Sequence, residues 1–366
     1  MNSKLIGNLV FFFVIFTAQV NGQTRTSSGK VFADPRGEPQ LTVCSQNLNN
    51  YGFFHTTAGR LNISEEAYQI KERALAERIV KTGCDVVAVQ EVFAPNEEAG
   101  REVLRQLAKR LRFSGGRIFD VSAGSSNDDN IRNGFLLAKD RAEIINTLSY
   151  SKVELPKISD KQKPRFFLRS PYEIQIAVKP RELGSPKTVT LINIHFKSKS
   201  GSGKDPTELE WETYRMEMSE AVRRIVEVRH RGSIARGDNL LLVVGDRNSH
   251  FDTASSKILE GSLTLADFKM DSYCRLSKRG TPLCQPGASS SQVLFSVLTE
   301  NPRTKMLPGT YRYRNIFSWI DDILMPVESL PFAWAQYDTA GEYDSGVVYE
   351  PAEASDHAMV YVRLYW

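Results

Sequence analysis

Six places in this 366-residue chain set acids, amides or histidines where an apolar run begins or ends. They are Asn47 after LTVCSQ, Glu91 after VVAVQ, His195 inside LINIHF, Asp246 and Asn248 after LLVVG, Asp321 beside Asp322 in SWIDDIL, and Asp356–His357 opening the last run. Carboxylate and amide oxygens are the donors a hard divalent cation takes, and imidazole moves protons near neutral pH. Each position also has a plainer reading. An asparagine after a strand is commonly a turn residue, and His195 between Ile194 and Phe196 suits a core histidine with a satisfied partner. Glu91 beside buried aliphatics needs compensation, which a metal or a structural arginine would supply. Asn193 faces the same way as His195 along a strand. Asp356 would point away from His357 on a regular strand, so the acid orienting that imidazole must come from elsewhere, with Asp321 as candidate. The stretch LLVVGDRNSHFD carries more polar groups than a turn uses.

The elements that hold these residues alternate in type. LTVCSQNLNNYG reads as a short strand ending in amides. From Ser64 the pattern turns helical: Ser64 caps, Glu65 and Glu66 suit the positive end, and Ala67, Ile70, Ala74 and Ile79 repeat until Gly83 stops the helix. CDVVAVQEVF is a buried strand, and Leu104, Leu107 and Leu111 share one side of a second helix. Further strands are expected at GFLLAKD (134–140), YEIQIAV (172–178) and TVTLINIHF (188–196). A long helix follows, with Thr207 and Glu210 as a capping box and Trp211, Tyr214, Met218, Val222 and Ile225 on its apolar face. LLVVG, a short helix over 255–260, SWIDDILMP, GVVY and a final strand complete the chain. This order is that of an α/β sandwich. A polar loop occupies 277–292, and no repeat or linker divides the sequence.

A composition of 41% hydrophobic and 25% charged residues suits a compact globular protein and excludes a disordered or fibrous one. Residues 1–22 carry Lys4 and an apolar run from Leu9 to Phe16 ahead of Gly22, the pattern of a cleaved signal peptide. The run is well short of the roughly 20 residues that span a bilayer. Cleavage removes Lys4 and no acid, so a formal charge of +4 becomes +3; that permits a polyanionic substrate without demonstrating one. Residues 23–40 read as a flexible mature N-terminus, and 41–366 as one domain. Export makes disulfides permissible. A bridge is expected between Cys274 and Cys284, which flank RLSKRGTPL, worth roughly 3 kcal/mol by loop closure. For Cys44 and Cys84, buried thiols and a second bridge are both open.

The series SQNLNNYG, VVAVQEVF, LRSPYE, NIHFKSK, VVGDRNS, SWIDDIL and SDHAMV, in that order from residue 41 to the C-terminus, resembles the endonuclease/exonuclease/phosphatase superfamily. A lone Gly-Asp-x-Asn is weak; the ordered set is specific. The helix carrying Arg215 and Ala221 is similar to that of the secreted bacterial nucleases in this group. The resemblance implies the DNase I-like fold, a four-layer α/β sandwich of two packed mixed β-sheets flanked by helices. It implies that Asn47 and Glu91 hold a divalent metal, with Asp356 on the metal side. Asp246 and Asn248 match the pair that positions water and steadies phosphate, and His195 and His357 match the two active-site histidines. Asp321 matches the acid that orients the second of them, and Arg169 a phosphate contact. Two positions depart from the family: Arg247 stands where a bulky apolar residue is usual, and Trp319-Ile320-Asp321-Asp322 replaces Arg-Ile-Asp-Tyr. Asp322 reads as a weak cation site or a repulsion on substrate phosphate. No acid that would orient His195 is identified.

These residues would suit phosphodiester hydrolysis. The oxygen-rich set argues for Mg²⁺, with Mn²⁺ as substitute and a further structural Ca²⁺ left open. His357 would take or align the water proton with Asp246, and His195 would protonate the leaving oxygen or bond the phosphate. Arg247, Lys197, Lys199 and Lys204 are expected to touch neighbouring phosphates. The expectation is a monomeric nuclease, secreted or periplasmic, acting on DNA and on RNA as second substrate with little sequence preference, with no membrane insertion and no protein partner. One alternative is a secreted phospholipid phosphodiesterase of the sphingomyelinase type, with PFAWAQY (331–337) against the membrane. Another is an inactive binding module of the same fold.

Overall fold

The structure, a computed structural model, describes residues 25–27, 30–32, 38–181, 186–199, 209–269, 273–285, 291–301, 304–313, 316–334 and 343–366. Residues 1–22, expected to be a signal peptide, Lys204, Thr207 and parts of 277–292 and 331–337 lie outside them.

Twelve strands build two six-stranded sheets. They are β1 (Leu41–Tyr51), β2 (Val86–Phe93), β3 (Phe119–Ala123), β4 (Ile131–Ala138), β5 (Ala142–Ser149) and β6 (Tyr172–Val178), then β7 (Lys187–His195), β8 (Asn239–Asp246), β9 (Leu294–Ser296), β10 (Asp321–Pro326), β11 (Ser345–Val348) and β12 (Met359–Leu364). One sheet has the order β11-β12-β1-β2-β4-β3 and the other β9-β10-β8-β7-β6-β5. Both are mixed: β1 and β2 run parallel, as do β7 and β8, and the remaining pairs are antiparallel.

The central strands are continuous apolar runs because both their faces are covered. Along β2, Val86 and Ala88 enter the core between the sheets, whereas Val87 and Val89 pack outward with Leu75, Ile79, Leu104 and Leu107. Along β8, Leu240, Leu242 and Val244 face inward, and Leu241 and Val243 meet Met218 and Val222. The outer layers are helices α2 (Glu65–Thr82) and α3 (Glu97–Phe113) on the first sheet and α4 (Glu212–Ile225) on the second. The result is the expected four-layer sandwich.

Local signals place these helices. Ser64 accepts a hydrogen bond from Ala67 N at 3.2 Å, and Gly83 ends α2 in the left-handed region at φ 72°. Asn96 caps α3 in the same way at 2.9 Å. Two details of the helix reading fail. Ala67 and Ile70 face solvent, and the buried stripe of α2 runs through Tyr68, Lys71, Leu75, Arg78 and Ile79. Helix α4 starts at Glu212 with Trp211 at its N-cap, so Glu210 lies ahead of the helix and not within a capping box.

Shorter elements complete the fold: α1 (Phe54–Leu61), α5 (Arg231–Ala235), α6 (Ala254–Glu260) and a π-helical turn over Val226–His230 after α4. Within 23–40, Arg25–Ser27 pairs with Lys30–Phe32. Strands Cys274–Leu276 and Pro282–Cys284 form a hairpin closed by the expected Cys274–Cys284 disulfide. Cys44 and Cys84 are also bridged, which resolves the open alternative in favour of a second disulfide. A further hairpin joins Tyr311–Tyr313 to Ile316–Ser318. No helix among the described residues is long and apolar enough to cross a membrane.

Candidate active site

Strand register brings the polar groups to one end of the sandwich. Asp246 is the parallel partner of His195 on β7 and the antiparallel partner of Asp321 on β10, so three adjacent strands present the three side by side. The approach is close: Gly245 has φ 133°, and a Cβ there would stand 2.1 Å from Ile194 O, so only glycine fits. In the other sheet Asn47 pairs with Gln90, and the register shifts beyond both residues. Those irregularities turn Glu91 into the left-handed region at φ 57°, where a non-glycine residue costs on the order of 1–3 kcal/mol. Asn248, at φ 50°, shares that strain. The strained backbone sits where the chemistry-bearing side chains are. At the end of β1, Asn49 and Asn50 are in the left-handed region, and Asn47 Oδ1 accepts from Asn49 N at 2.9 Å, so Asn47 serves the turn as well as the site.

The two sheet ends are tied by amides. Gln90 Nε2 donates to Asn193 Oδ1 at 2.7 Å, and Asn193 Nδ2 donates to Val89 O and Gly134 O. Around this bridge the site closes. Asn47 Nδ2 lies 3.2 Å from both Glu91 Oε1 and Asp246 Oδ2. His195 Nε2 is 3.7 Å from Glu91 and 3.6 Å from Asp246. Asn248 donates to Asp246 from its backbone N at 2.7 Å and from Nδ2 at 3.1 Å. His357 Nδ1 donates to both Asp321 oxygens, at 3.0 and 2.9 Å. Asp246, Asp321 and His357 offer ligand-capable atoms within 4.8 Å of one another. Asp321 is thus the acid that orients His357, and Glu91, Asp246, His195 and His357 share one site. Asp356 is at the exposed rim, where its carboxylate accepts from Ser355 Oγ at 3.4 Å; it is not bonded to Asn47 or Glu91.

Charge is concentrated here. Burial, helped by Asp321 and Glu91, pushes Asp246 up to about 7. Burial alone would strip the proton from His357, but the charge and hydrogen bonds of Asp321, with Asp246 and Asp356, raise it to about 10. His195 is driven the other way, by burial and by the neighbouring Arg169, His357 and Lys197. Among the described residues no acid hydrogen-bonds to it; Arg169 Nη1 donates to His195 Nε2 at 2.7 Å. His195 Nδ1 has no hydrogen-bond partner among the described residues.

A metal fits the donor set on chemical grounds. Asn47 places an N–H₂ group between two carboxylates, at a point where negative charge converges and a cation would be held. Glu91, Asn47 and Asp246 offer only oxygen donors once the amide turns, as a hard divalent ion prefers.

Arg247 overturns its expectation. It is fully buried and points inward, with Nη2 3.1 Å from Asp322 Oδ2, Nη1 3.7 Å from Glu260 and its guanidinium over the Trp319 ring at 5.9 Å. It has no surface to offer a phosphate. Asp322 is neither a cation site nor a repulsion on substrate, because it is occupied by Arg247, Ser296 Oγ and Ile323 N. The two departures from the family pattern are the two halves of one buried ion pair. Lys197 lies beside Arg169 with its ammonium 4.8 Å over the Trp211 ring.

Several supports escaped the sequence reading. Arg78, fully buried in α2, donates to His357 O at 2.8 Å, Gln46 Oε1 at 2.9 Å and Pro351 O at 2.7 Å, and also to Tyr349 O. Lys71, one helical face with it, donates to Ala354 O at 3.1 Å, and burial lowers it to about 8. Together they anchor the segment that carries Asp356 and His357. The available signal was two cations on the apolar stripe of a helix. Arg215 is likewise internal, paired with Glu212 at 2.8 Å and donating to Lys197 O at 3.1 Å. The Tyr311 ring lies 4.7 Å from the His357 ring.

No family model matches this sequence, and none of the curated proteins is similar to it. Solved structures are. A humanized D. rerio TDP2 carrying 14 mutations superposes with a TM-score of 0.51 at 13% identity, covering 88% of this chain and 97% of that one. An endonuclease/exonuclease/phosphatase family protein from Bacteroides thetaiotaomicron gives 0.51 at 15%, covering 89% and 97%. A mannosyl-6-phosphatase from the same organism gives 0.51 at 15%, covering 89% and 100%. The chain shares with these proteins the DNase I-like fold of two mixed six-stranded sheets flanked by helices. A fold alone does not assign an activity.

Proposed function

We propose that this protein is an exported, divalent-metal-dependent phosphodiesterase that cuts nucleic acid, DNA foremost, with little sequence preference. The observation that carries the reading is the convergence of Asn47, Glu91, His195, Asp246, Asn248 and the Asp321–His357 pair from six separate segments. Glu91 and Asn47, with Asp246 within reach and Asp356 at the rim, would hold Mg²⁺ or Mn²⁺. Such an ion supplies charge neutralisation at a non-bridging phosphate oxygen and at the departing oxygen.

The chain's own residues do the rest. Asp246, held by two donors from Asn248, orients the attacking water and accepts its proton. His357, fixed through Nδ1 by Asp321, presents Nε2 as a donor to growing charge. Arg169, which donates to Nε2 of the neutral His195, supplies the second donor for phosphate, with His195 positioning it. Nothing at the strand ends matches base edges, in keeping with weak sequence preference.

The test uses purified protein from residue 23 onward with plasmid, single-stranded DNA, RNA, sphingomyelin vesicles and mannose 6-phosphate, each with Mg²⁺ and with EDTA. Chelator-sensitive cleavage of nucleic acid is expected, and D246N should lose at least about 10²-fold in turnover while folding normally. Choline phosphate released in place of cut nucleic acid would reassign the substrate to lipid. Free phosphate alone would reassign it to a monoester.

A further inference from the structure

The hairpin of Tyr311–Tyr313 and Ile316–Ser318 belongs to neither main sheet and takes no part in the chemistry above. It is nevertheless attached to the site. Tyr311 forms a β-bridge with His357, Arg312 N donates to Asp356 O at 3.1 Å, and Thr310 Oγ1 accepts from Ile320 N and Asp321 N. Its register pairs Tyr311 with Ser318, Arg312 with Phe317, and Tyr313 with Ile316. Side chains alternate along a strand and match across it, so Tyr311, Tyr313 and Ile316 share one face, and Arg312 and Phe317 the other. On the second face Phe317 meets Tyr349 edge-on at 5.5 Å and is itself 53% exposed. The first face is the one Tyr311 presents to His357. Along it Tyr313 is 54% exposed and Ile316 67%. Exposed apolar groups gathered at the mouth of a charged site need an explanation beyond packing.

We propose that this face is a stacking surface for the unpaired bases of a nucleic-acid strand leaving the scissile phosphate, an inference that rests on the nuclease reading. Tyr311 and Tyr313, two residues apart, set successive rings about 7 Å from each other. That arrangement steps outward from the reacting phosphorus along a stretched, unstacked strand. Tyrosine rings take bases by their faces without reading their edges. The surface makes the protein prefer single-stranded or frayed substrate to blunt duplex.

Three variants test this: Y313A, I316A and Y313W, the last retaining a ring. Binding of a labelled single-stranded oligonucleotide is read by fluorescence anisotropy in EDTA, and cleavage of the same oligonucleotide, a blunt duplex and bis(p-nitrophenyl) phosphate is read in Mg²⁺. Y313A should weaken single-strand binding roughly 5- to 100-fold and raise its KM in step. Turnover of bis(p-nitrophenyl) phosphate should stay unchanged, and Y313W should restore binding. Equal binding by wild type and Y313A, with nucleic acid still cut, would overturn the stacking surface and leave the nuclease reading standing. If Y313A instead lost binding to phosphatidylcholine vesicles alone, the face would be a lipid contact. A wild-type protein that hydrolyses bis(p-nitrophenyl) phosphate but no nucleic acid would end both.

Discussion

At the scale of single residues, the Asp321–His357 pair sets the electrostatics of the site. Two opposing effects act on the imidazole: burial disfavours its charge, and two carboxylate oxygens at about 3 Å favour it. The carboxylates prevail, and His357 is held up at about 10. Its folded value stands above the ordinary one near 6.5, so the pair's contribution to stability is complete below about pH 6.5 and fades as pH rises toward 10. Asp321→Asn keeps an acceptor oxygen and removes the charge. NMR titration of the metal-free protein should show the wild-type His357 ring unchanged through neutral pH. In D321N the same ring should titrate at or below the ordinary histidine value. A variant whose His357 remained charged above pH 8 would show that the proton is held by something other than Asp321.

At the scale of elements, β8 and β10 are locked together immediately beside their functional residues. Arg247 follows Asp246, and Asp322 follows Asp321, and the two charges meet behind the site at 3.1 Å. Burial pushes Asp322 up to about 6 even with Arg247 offsetting it. Arg247→Met would leave the buried Asp322 without its cation, while Glu260 keeps Lys257 at 2.9 Å, and should cost about 3–5 kcal/mol in urea unfolding. The double variant R247M/D322L removes both charges and should recover most of that loss. If the double variant were no more stable than R247M alone, the two residues would not be coupled. This pair also marks where sequence reading stops. Strand ends such as Asp246 and His195 stood out because polar groups after a buried run need a purpose. Arg247 carried no mark of its direction, since alternation fails beyond a glycine at φ 133°. Arg78 was hidden for a related reason: on α2 the buried stripe includes cations, and the apolar residues Ala67 and Ile70 are outside it. The Tyr311 hairpin, with strands of three residues, is too short to show a period.

At the scale of the whole molecule, the sandwich is a set of layers whose connections cross its outer faces, and the two disulfides act on those connections. Cys44 is on β1 and Cys84 precedes β2, so their bridge closes a separation of 40 residues around α1 and α2. It returns the crossover to the parallel strand pair that ends in Asn47 and Glu91. The Cys274–Cys284 bridge closes only 10 residues of a surface hairpin. Loop closure in the unfolded chain makes the first worth roughly 4 kcal/mol and the second roughly 3. C44A/C84A should therefore lower urea stability by more than C274A/C284A. The two losses should add, because the bridges join different segments with no shared partner. Reduction should proceed in the opposite order. Cys44 and Cys84 are buried, whereas Cys284 is exposed, so a thiolate reaches the hairpin bridge first. Mass spectrometry after timed dithiothreitol and alkylation should label Cys274 and Cys284 while the activity proposed above persists. Labelling at Cys44 and Cys84 should coincide with its loss, because the strands that place Asn47 and Glu91 would then be free to separate. Early labelling of Cys44 with full activity would break the link drawn here between that bridge and the site.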